Sequence, residues 1–470
     1  MTAKSYIAAK LIEHQSYSLI DLNVVMKSIL IIGAGRSSSA LIKYVLDTAK
    51  KENWFVTVAD MDPSLAEEKV NNHPCGRGTW LDVMKVNDRR ELIGRADIVV
   101  SLLPAHLHLE VAHDCIKLKK HLITASYVSK ELYRLGDEAR NRELLFMGEM
   151  GLDPGIDHMS AMQKINEIKG QGGKLTGFRS FTGGIIAPES DDNPWHYKFT
   201  WNPRNVVLAG QGTAQYLENG KYRYLPYNRL FTETWDLDIP ELGVFEAYAN
   251  RDSLLYKEVY GLEGIPNILR GTIRRKGFSE AWNALVKIGL TDGSYPILDS
   301  GNITYHEFME AYVGSAGGGS VKERIARLIG EEVDSPIMDK LTWLGLFRKK
   351  KIRLPNATPA LILEDLLMEK WKLKPEDKDM IVMHHEFEYE LDAKKRLLKS
   401  TLVLKGENAR ETAMSKLVGL PMGIFVKLMA AGKITSTGVN IPVMKEVYEP
   451  VLEELKDFGV NFLESEEVID

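Results

Sequence analysis

Apolar runs alternate with helix-spaced apolar positions along the first third of the chain. The segment "SILIIGAGRSSSALIKYVLDTAKK" has a continuous apolar run, a Gly-X-Gly turn and then apolar residues at helical spacing. The runs "WFVTVADMDP", "GTWLDV", "ADIVVSLLP" and "HLITASYVS" follow, each closing in a turn. Strands spaced by helical segments predict a doubly wound parallel sheet, and therefore an α/β fold.

The pattern changes in the second half of the chain. From Ser279 to Lys374 helical spacing dominates, which predicts a helical region. The runs "MIVMHHEFEYE" and "RLLKSTLVL" then predict a hairpin through "LDAKK". The apolar segment "LVGLPMGIFVKLMAAG" is too short, and too interrupted by Pro421 and Lys427, to span a bilayer. We therefore expect a soluble protein with no membrane contact.

Composition narrows the class of protein. With 470 residues, 44% hydrophobic and 27% charged, the chain can bury large cores and favours two or three domains. With a net charge of -5, the chain lacks the excess of positive charge that would attract nucleic acid, so we expect no nucleic-acid partner. Two cysteines, Cys75 and Cys115, imply no disulfide framework and favour a reducing, cytoplasmic location. No signal peptide is visible, and Met26 precedes the first strand, so residues 1–26 could be an upstream extension.

The Gly-X-Gly turn predicts a dinucleotide site. Gly33 and Gly35 would let the backbone approach a pyrophosphate, while Ser38 replaces the usual third glycine. Asp60 ends the second strand, where a carboxylate can accept hydrogen bonds from both ribose hydroxyls. No Arg or Lys occurs at positions 55–66 to accept the extra phosphate of NADP, so we expect NAD. The alternative is that Asp60 only caps the next helix or ends the strand.

Several long motifs resemble one family. The segments are "ASYVS" (125–129), "GEMGLDPGIDH" (148–158), "GGIIAPESDDNPWHYKFTW" (183–201), "NRDS" (250–253), "LRGTIRRKGF" (269–278), "WLGLF" (343–347) and "SKLVGLP" (415–421). In this order they resemble the glutamate-forming saccharopine dehydrogenases, also called saccharopine reductases, from about residue 27 to near the C-terminus.

The resemblance implies an architecture of three parts. A Rossmann-like parallel-sheet domain would take 27–150 plus about 430–470. A second α/β domain, with a mixed sheet that bears the substrate and forms any homodimer, would take 151–278 and about 376–430. A small helical domain would take 279–375. The helical spacing and the hairpin noted above support this plan independently.

The resemblance also implies a reaction. A hydride would leave the lysine-derived carbon beside the bridging nitrogen of saccharopine, and hydrolysis of the imine would give L-glutamate and 2-aminoadipate 6-semialdehyde. Three carboxylates on such a substrate call for guanidinium groups, and the nitrogen must lose a proton. The substrate-binding residues expected from the family are Ser126, Tyr127, Glu149, Asp153, Thr182, Gly183, Arg251 and Arg270.

Catalytic and cofactor residues follow from the same motifs. We expect Asp153, and after it Tyr127, to accept the amine proton, although water or the substrate's own groups could serve. Fungal members of the family have Cys where this chain has Thr182, which excludes a thiolate role there. The predicted cofactor-binding residues follow the first four strands: Gly33, Gly35, Arg36, Ser37, Ser38, Asp60, Met61, Asp82, Val83, Leu103 and Pro104.

Other interpretations of these residues remain open. Asp157 and His158 open a helix, and we favour a structural capping role for them. Asp153 precedes a proline, where turn formation alone could explain it. His106, His108 and His113, and the "HHE" at His384, could suggest a metal, but they lack a ligand pattern, so no metal is expected. The alternative functions are an NADPH-dependent saccharopine reductase working toward lysine, a carboxylated-polyamine dehydrogenase and a non-enzymatic nucleotide-binding scaffold.

Overall fold

Two β-sheets face each other across a cleft in the computed structural model, which describes residues 26–315 and 317–469. Nearly all of the predicted upstream extension therefore lies outside the described residues. The strands of the first sheet are β1 (Lys27–Ile32), β2 (Trp54–Asp60), β3 (Gly76–Trp80), β4 (Ile98–Ser101), β5 (His121–Thr124), β6 (Leu145–Met147) and β15 (Gly438–Asn440). All are parallel, in the order β15-β6-β5-β4-β1-β2-β3.

Helices cover both faces of this sheet, which explains its unbroken apolar runs. On β1, Ile29 and Ile31 join one core while Leu30 and Ile32 join another on the opposite face. The connecting helices are α1 (Ser39–Glu52), α2 (Pro63–Val70), α3 (Val86–Gly94), α4 (His108–Leu118), α5 (Lys130–Tyr133) and α6 (Gly136–Asn141). The predicted doubly wound sheet is confirmed.

The second sheet is mixed and has nine strands. They are β7 (Lys174–Ile186), β8 (Thr213–Glu218), β9 (Lys221–Pro226), β10 (Thr234–Ile239), β11 (Gly243–Ala249), β12 (Asn267–Arg275), β13 (Asp379–Leu391), β14 (Lys394–Lys405) and β16 (Phe462–Ile469). The main order is β10-β11-β12-β7-β13-β14-β16, with β8 beside β12 and β9 beside β8. Only β7 and β12 run parallel. The predicted hairpin is β13 and β14.

Helix α7 (Ile156–Gly170) carries the chain from the first sheet to the second. The short helices α8 (Pro203–Val207), α9 (Tyr227–Leu230) and α10 (Tyr256–Val259) lie between strands of the mixed sheet. The predicted helical region contains α11 (Phe278–Ile288), α12 (Tyr305–Val313), α13 (Val321–Ile329), α14 (Pro336–Leu344) and α15 (Pro359–Lys370). These helices share one continuous core with the mixed sheet, in which Trp282 and Trp371 lie with Phe181.

The last segment of the chain differs from the predicted domain boundaries. Helix α16 (Ala413–Ala430), expected with the mixed sheet, packs on α1, and helix α17 (Lys445–Lys456) lies against α16 and α7. The final strand β16, expected in the first domain, pairs antiparallel with β14 instead. Pairing between strands so far apart in sequence leaves no local signal, which is why the boundaries differ. Helix α16 is long and apolar enough to cross a membrane, but 72% of it is buried inside the protein.

Candidate active site

The glycine turn lies at the carboxyl end of β1. Gly33 has φ +107°, and a Cβ there would lie 3.1 Å from the backbone oxygen of Leu102. A Cβ on Gly35 would meet nothing within 4 Å, so the turn borders open space on that side. A 3₁₀ turn, Arg36–Ser38, then leads into α1. Because the first amides of a helical segment have no partner within it, this edge suits a pyrophosphate.

Asp60 is fixed beside that turn. Its Oδ2 accepts a hydrogen bond from the Ala34 amide at 2.6 Å, and its Oδ1 accepts one from the Asp62 amide at 2.9 Å. A carboxylate has further lone pairs, so it can still accept bonds from ribose hydroxyls. The side chain that caps α2 is Asp62, which accepts from the Ser64 amide. The helix-capping alternative for Asp60 is therefore wrong.

Lys69 is a site residue that the sequence did not reveal. Its Nζ donates to the Gly35 carbonyl at 2.5 Å, to Ser38 Oγ at 2.8 Å and to Ser39 Oγ at 2.9 Å. These contacts use all three ammonium hydrogens. Burial lowers the pKa of Lys69 to about 8. The lysine lies 34 residues from Gly35 along the chain, and no motif connects the two.

The other predicted cofactor residues lie at the same edge of the parallel sheet. Met61 follows β2 and is largely exposed, and Asp82 follows β3, where it accepts from the Met84 amide at 3.0 Å. Val83 is buried next to it. The loop with Leu103 and Pro104 follows β4. The carboxyl edge of a parallel sheet is where such folds bind ligands.

A cleft of about 240 Å³ separates this edge from the mixed sheet. Residues of both sheets line it, among them Ser37, Tyr127, Asp153, Thr182, Gly183 and Arg251. The structure thus brings six predicted site residues together, and one of them, Ser37, belongs to the turn after β1.

A buried ion-pair cluster forms one wall of the cleft. The Tyr127 hydroxyl donates to Asp153 Oδ1 at 3.1 Å. Arg270 Nη2 donates to the same oxygen at 2.6 Å and to Asp157 Oδ2 at 2.5 Å. Burial raises the pKa of Asp153, while the charge of Arg270 opposes that rise. Asp153 is thus held in place by two donors and remains 16% exposed to the cleft.

This cluster changes the interpretation of two predicted residues. Arg270 was expected to bind a substrate carboxylate, but it is buried and already engaged by two acids of the protein. Asp157 was expected to cap α7, and its side chain bonds the backbone amide of Gly155, the residue directly before that helix. It accepts from the Gly155 amide at 2.6 Å and pairs with Arg270. The pairing joins positions 113 residues apart, so no local pattern predicts it.

Glu149 lies behind the cleft wall. Its backbone has φ +56°, and its Oε1 accepts from the Val128 amide at 3.0 Å. Its Oε2 bonds His158 Nε2 at 2.8 Å, and His158 Nδ1 bonds the Tyr260 hydroxyl at 2.5 Å. Both carboxylate oxygens therefore have protein partners, and the predicted contact of Glu149 with substrate stays a prediction. Glu149 fixes the backbone directly after Tyr127, and His158 links it to Tyr260.

Two residues on β7 have groups that suit a ligand. Thr182 is 8% exposed, and its hydroxyl has no hydrogen-bond partner in the protein. A Cβ on Gly183 would lie 2.4 Å from the backbone oxygen of Ile273, so only glycine fits there.

Arg251 has φ +51°, and its guanidinium lies 5.1 Å from the centre of the Tyr127 ring. No described carboxylate pairs with Arg251, which leaves its charge for a substrate anion.

Two of the histidines weighed as metal ligands, His108 and His384, have protein partners. His108 bonds Ser101, Thr124 and Ser126 through its two ring nitrogens, and burial lowers its pKa to about 4. The Ser126 side chain thus holds a histidine at 2.8 Å, although it was predicted to bind substrate. His384 bonds Thr401 at 2.7 Å. Across the described part of the chain, no group of three ligating side chains could hold a metal.

Two family models match the two halves of this structure. Residues 29–147 match the "Saccharopine dehydrogenase NADP binding domain", and residues 151–460 match the "Saccharopine dehydrogenase C-terminal domain". The chain belongs to the saccharopine dehydrogenase family. The family resemblance expected from the motifs is confirmed.

Relatives extend the match over nearly the whole chain. A saccharopine dehydrogenase [NADP(+), L-glutamate-forming] of Pyricularia oryzae is 32% identical, covering 92% of this chain and 98% of that protein. An alpha-aminoadipic semialdehyde synthase of Arabidopsis thaliana is 33% identical over 93% of this chain, but the match spans only 45% of that longer protein. The solved structure of apo saccharopine dehydrogenase (L-Glu forming) from Saccharomyces cerevisiae superposes with a TM-score of 0.84 at 32% identity, covering 94% and 100% of the two chains.

Proposed function

We propose that this member of the saccharopine dehydrogenase family oxidises saccharopine with NAD and water to L-glutamate and 2-aminoadipate 6-semialdehyde, as a step of lysine degradation. The observation that carries the proposal is the cleft lined by Asp153, Tyr127 and Arg251 together with Ser37 of the turn after β1, in which no described carboxylate pairs with Arg251. Fungal relatives named as saccharopine dehydrogenases that form L-glutamate support the substrate and the reaction.

Each group in the cleft has a task in such a reaction. Arg251 would bind a substrate carboxylate at the mouth, since its charge is otherwise uncompensated. Asp153 would accept the proton of the bridging nitrogen. Because burial raises its pKa, the pKa of this carboxylate lies nearer to that of the amine that loses the proton. Tyr127 and Arg270 hold the carboxylate toward the cleft. A nicotinamide nucleotide bound at the glycine turn would accept the hydride.

The choice of NAD rests on the surroundings of Asp60. A carboxylate at this position repels a phosphate on the adjacent ribose. Lys69 lies nearby, but its three donors are used within the protein. Arg36 is exposed and makes no ion pair with a described acid, so it is the residue that would hold the extra phosphate of NADP. Fungal relatives, among them the Pyricularia oryzae protein, are named as NADP(+) enzymes, which makes this choice a direct subject for experiment.

The first experiment compares the reduction of NAD and NADP by saccharopine at alkaline pH, following the absorbance of the reduced nicotinamide. We expect wild type to prefer NAD, Asp60→Ala to lose most of that preference, and Arg36→Met to leave it intact. If wild type prefers NADP and Arg36→Met loses that preference, the proposed reaction stands, but the cofactor is NADP rather than NAD. Glutamate released in the same reactions identifies the products.

Two other functions remain as outcomes of the same assay. A carboxylated-polyamine dehydrogenase would turn over such a polyamine faster than saccharopine. A nucleotide-binding scaffold would bind NAD in calorimetry and turn over neither compound. A cytoplasmic location and a homodimer remain predictions, which fractionation and sedimentation would test.

A further inference from the structure

Lys69 joins the end of one helix to the beginning of another. It lies in the last turn of α2, where a lysine usually faces the carbonyls of its own helix or the solvent. Its Nζ instead donates to the Gly35 carbonyl at 2.5 Å, to Ser38 Oγ at 2.8 Å and to Ser39 Oγ at 2.9 Å. The side chain thus ties α2 to the residues that would surround a pyrophosphate.

The bonds of Lys69 hold a turn whose serine does not cap the next helix. Ser38 stands at the N-cap of α1, a position from which a serine usually accepts a bond from a helix amide. Its hydroxyl oxygen accepts from Lys69 instead, and its hydrogen is donated to the Gly35 carbonyl at 2.8 Å. The serine therefore holds the turn and does not cover the amides that an anion would use.

Close packing fixes the helix that carries Lys69. A Cβ on Gly78 of β3 would lie 2.5 Å from the amide nitrogen of Glu67, so α2 lies directly on that strand. The other end of α2 is fixed by Asp62, which accepts from the Ser64 amide at 3.0 Å. The backbone of Lys69 therefore has a set position, from which its side chain reaches the turn.

The positive charge of Lys69 is not neutralised by the oxygens that it bonds, since all three are uncharged. The side chain is half-buried, and burial lowers its pKa to about 8, while the charges of Glu68 and Asp60 oppose that shift. Asp60 bonds backbone amides, and Arg36 on the turn is exposed. An anion bound at the turn would stabilise the charged lysine, and the charged lysine would strengthen the binding of that anion.

We propose that Lys69 positions the nucleotide turn and supplies positive charge that attracts the pyrophosphate of the cofactor. The inference deepens the proposed function, and it rests on the nucleotide site rather than on the saccharopine cleft. Lys69 is a positioning residue, because its three donors are used on the turn and on the start of α1. Cofactor affinity should therefore depend on the protonation of one lysine on α2.

The test measures the dissociation constant of NAD by calorimetry between pH 7 and pH 9.5. A lysine is charged below its pKa and neutral above it, so wild type should lose affinity as the pH rises through about 8. We expect a loss of about fivefold or more across this range in wild type. Lys69→Met should bind NAD about tenfold more weakly than wild type at pH 7, with less than about twofold change across the range. Equal pH dependence in both proteins, or wild-type affinity in Lys69→Met, would overturn the proposal.

Two more variants separate the charge from a structural role. Lys69→Arg keeps a positive charge at pH 9.5, so its affinity for NAD should change by less than about twofold across the range. A fall like that of wild type would assign the pH dependence to another group and overturn the proposal. Lys50→Met is the matched control, since Lys50 is exposed near the other end of α1, about 16 Å from Ser39. Its dissociation constant should stay within about twofold of wild type at each pH.

Measurements without substrate separate this proposal from the proposed function. The melting temperature of free Lys69→Met should stay within about 3 °C of wild type. If wild type does not oxidise saccharopine, that substrate is refuted, while NAD binding still decides the role of Lys69. If wild type binds NADP and not NAD, the same pH series with NADP decides it, because both cofactors contain the pyrophosphate. A wild type that binds neither nucleotide would refute the nucleotide site and the role of Lys69 together.

Discussion

Removing Arg270 tests whether the buried cluster holds the cleft wall together. Its guanidinium is 8% exposed and contacts Asp153 at 2.6 Å and Asp157 at 2.5 Å. Arg270→Met would leave two neighbouring buried carboxylates without their shared cation. Breaking a buried ion pair in this way costs about 3–5 kcal/mol. We therefore expect the free energy of unfolding to fall by that amount.

The assay is urea denaturation followed by tryptophan fluorescence, with midpoints compared at equal slope. Asp157→Asn removes one acid and leaves Arg270 paired with Asp153, so it should cost only about 1–3 kcal/mol. The double variant should be more stable than the sum of the single changes predicts by at least about 1 kcal/mol, because the two residues interact directly. Arg275→Met, on the same strand, should cost less than about 1 kcal/mol. A loss below about 1 kcal/mol in Arg270→Met would refute the reasoning.

Three further variants test the glycine turn and the proposed base. In Gly35→Ala the free energy of unfolding should stay within about 0.5 kcal/mol of wild type, because the added Cβ meets nothing, while the KM for the cofactor should rise about tenfold or more. In Gly33→Ala the free energy of unfolding should fall by about 1–3 kcal/mol in a denaturation experiment, because Gly33 has a positive φ and the added Cβ would contact Leu102. Tyr127→Phe removes a hydrogen bond that lowers the pKa of Asp153. A base must be deprotonated, so activity is lost as the pH falls through its pKa, and a higher pKa moves the acid limb of the kcat/KM profile to higher pH. An unchanged limb would argue against Asp153 as the proton acceptor.

Local sequence patterns predicted the parallel sheet and its glycine turn well. The glycine turn follows β1 and Asp60 is the last residue of β2. The continuous apolar runs of these two strands indicated both positions in the sequence. The hairpin of β13 and β14 was equally visible, because both strands and the short turn between them are local. Asp153 and Tyr127 were found through family motifs, and the structure places them in hydrogen-bond contact.

Contacts between distant segments were not predictable in the same way. The partners of Arg270 and Lys69 are separated from them by many residues, so the sequence could not show that one arginine is engaged and another is free. The pairing of β16 with β14 likewise depends on three-dimensional packing rather than on local composition.

The packing of α16 on α1 has a consequence for how the protein is made. A Cβ on Gly419 would lie 2.6 Å from the amide nitrogen of Leu41, and Ser415 Oγ accepts a hydrogen bond from Ala40, 375 positions earlier. The helix that begins at the nucleotide turn therefore gains its covering partner only after residues 413–430 have been synthesised. A chain that stops before α16 would expose the apolar side of α1 to chaperones and would lack the helix that supports the nucleotide turn.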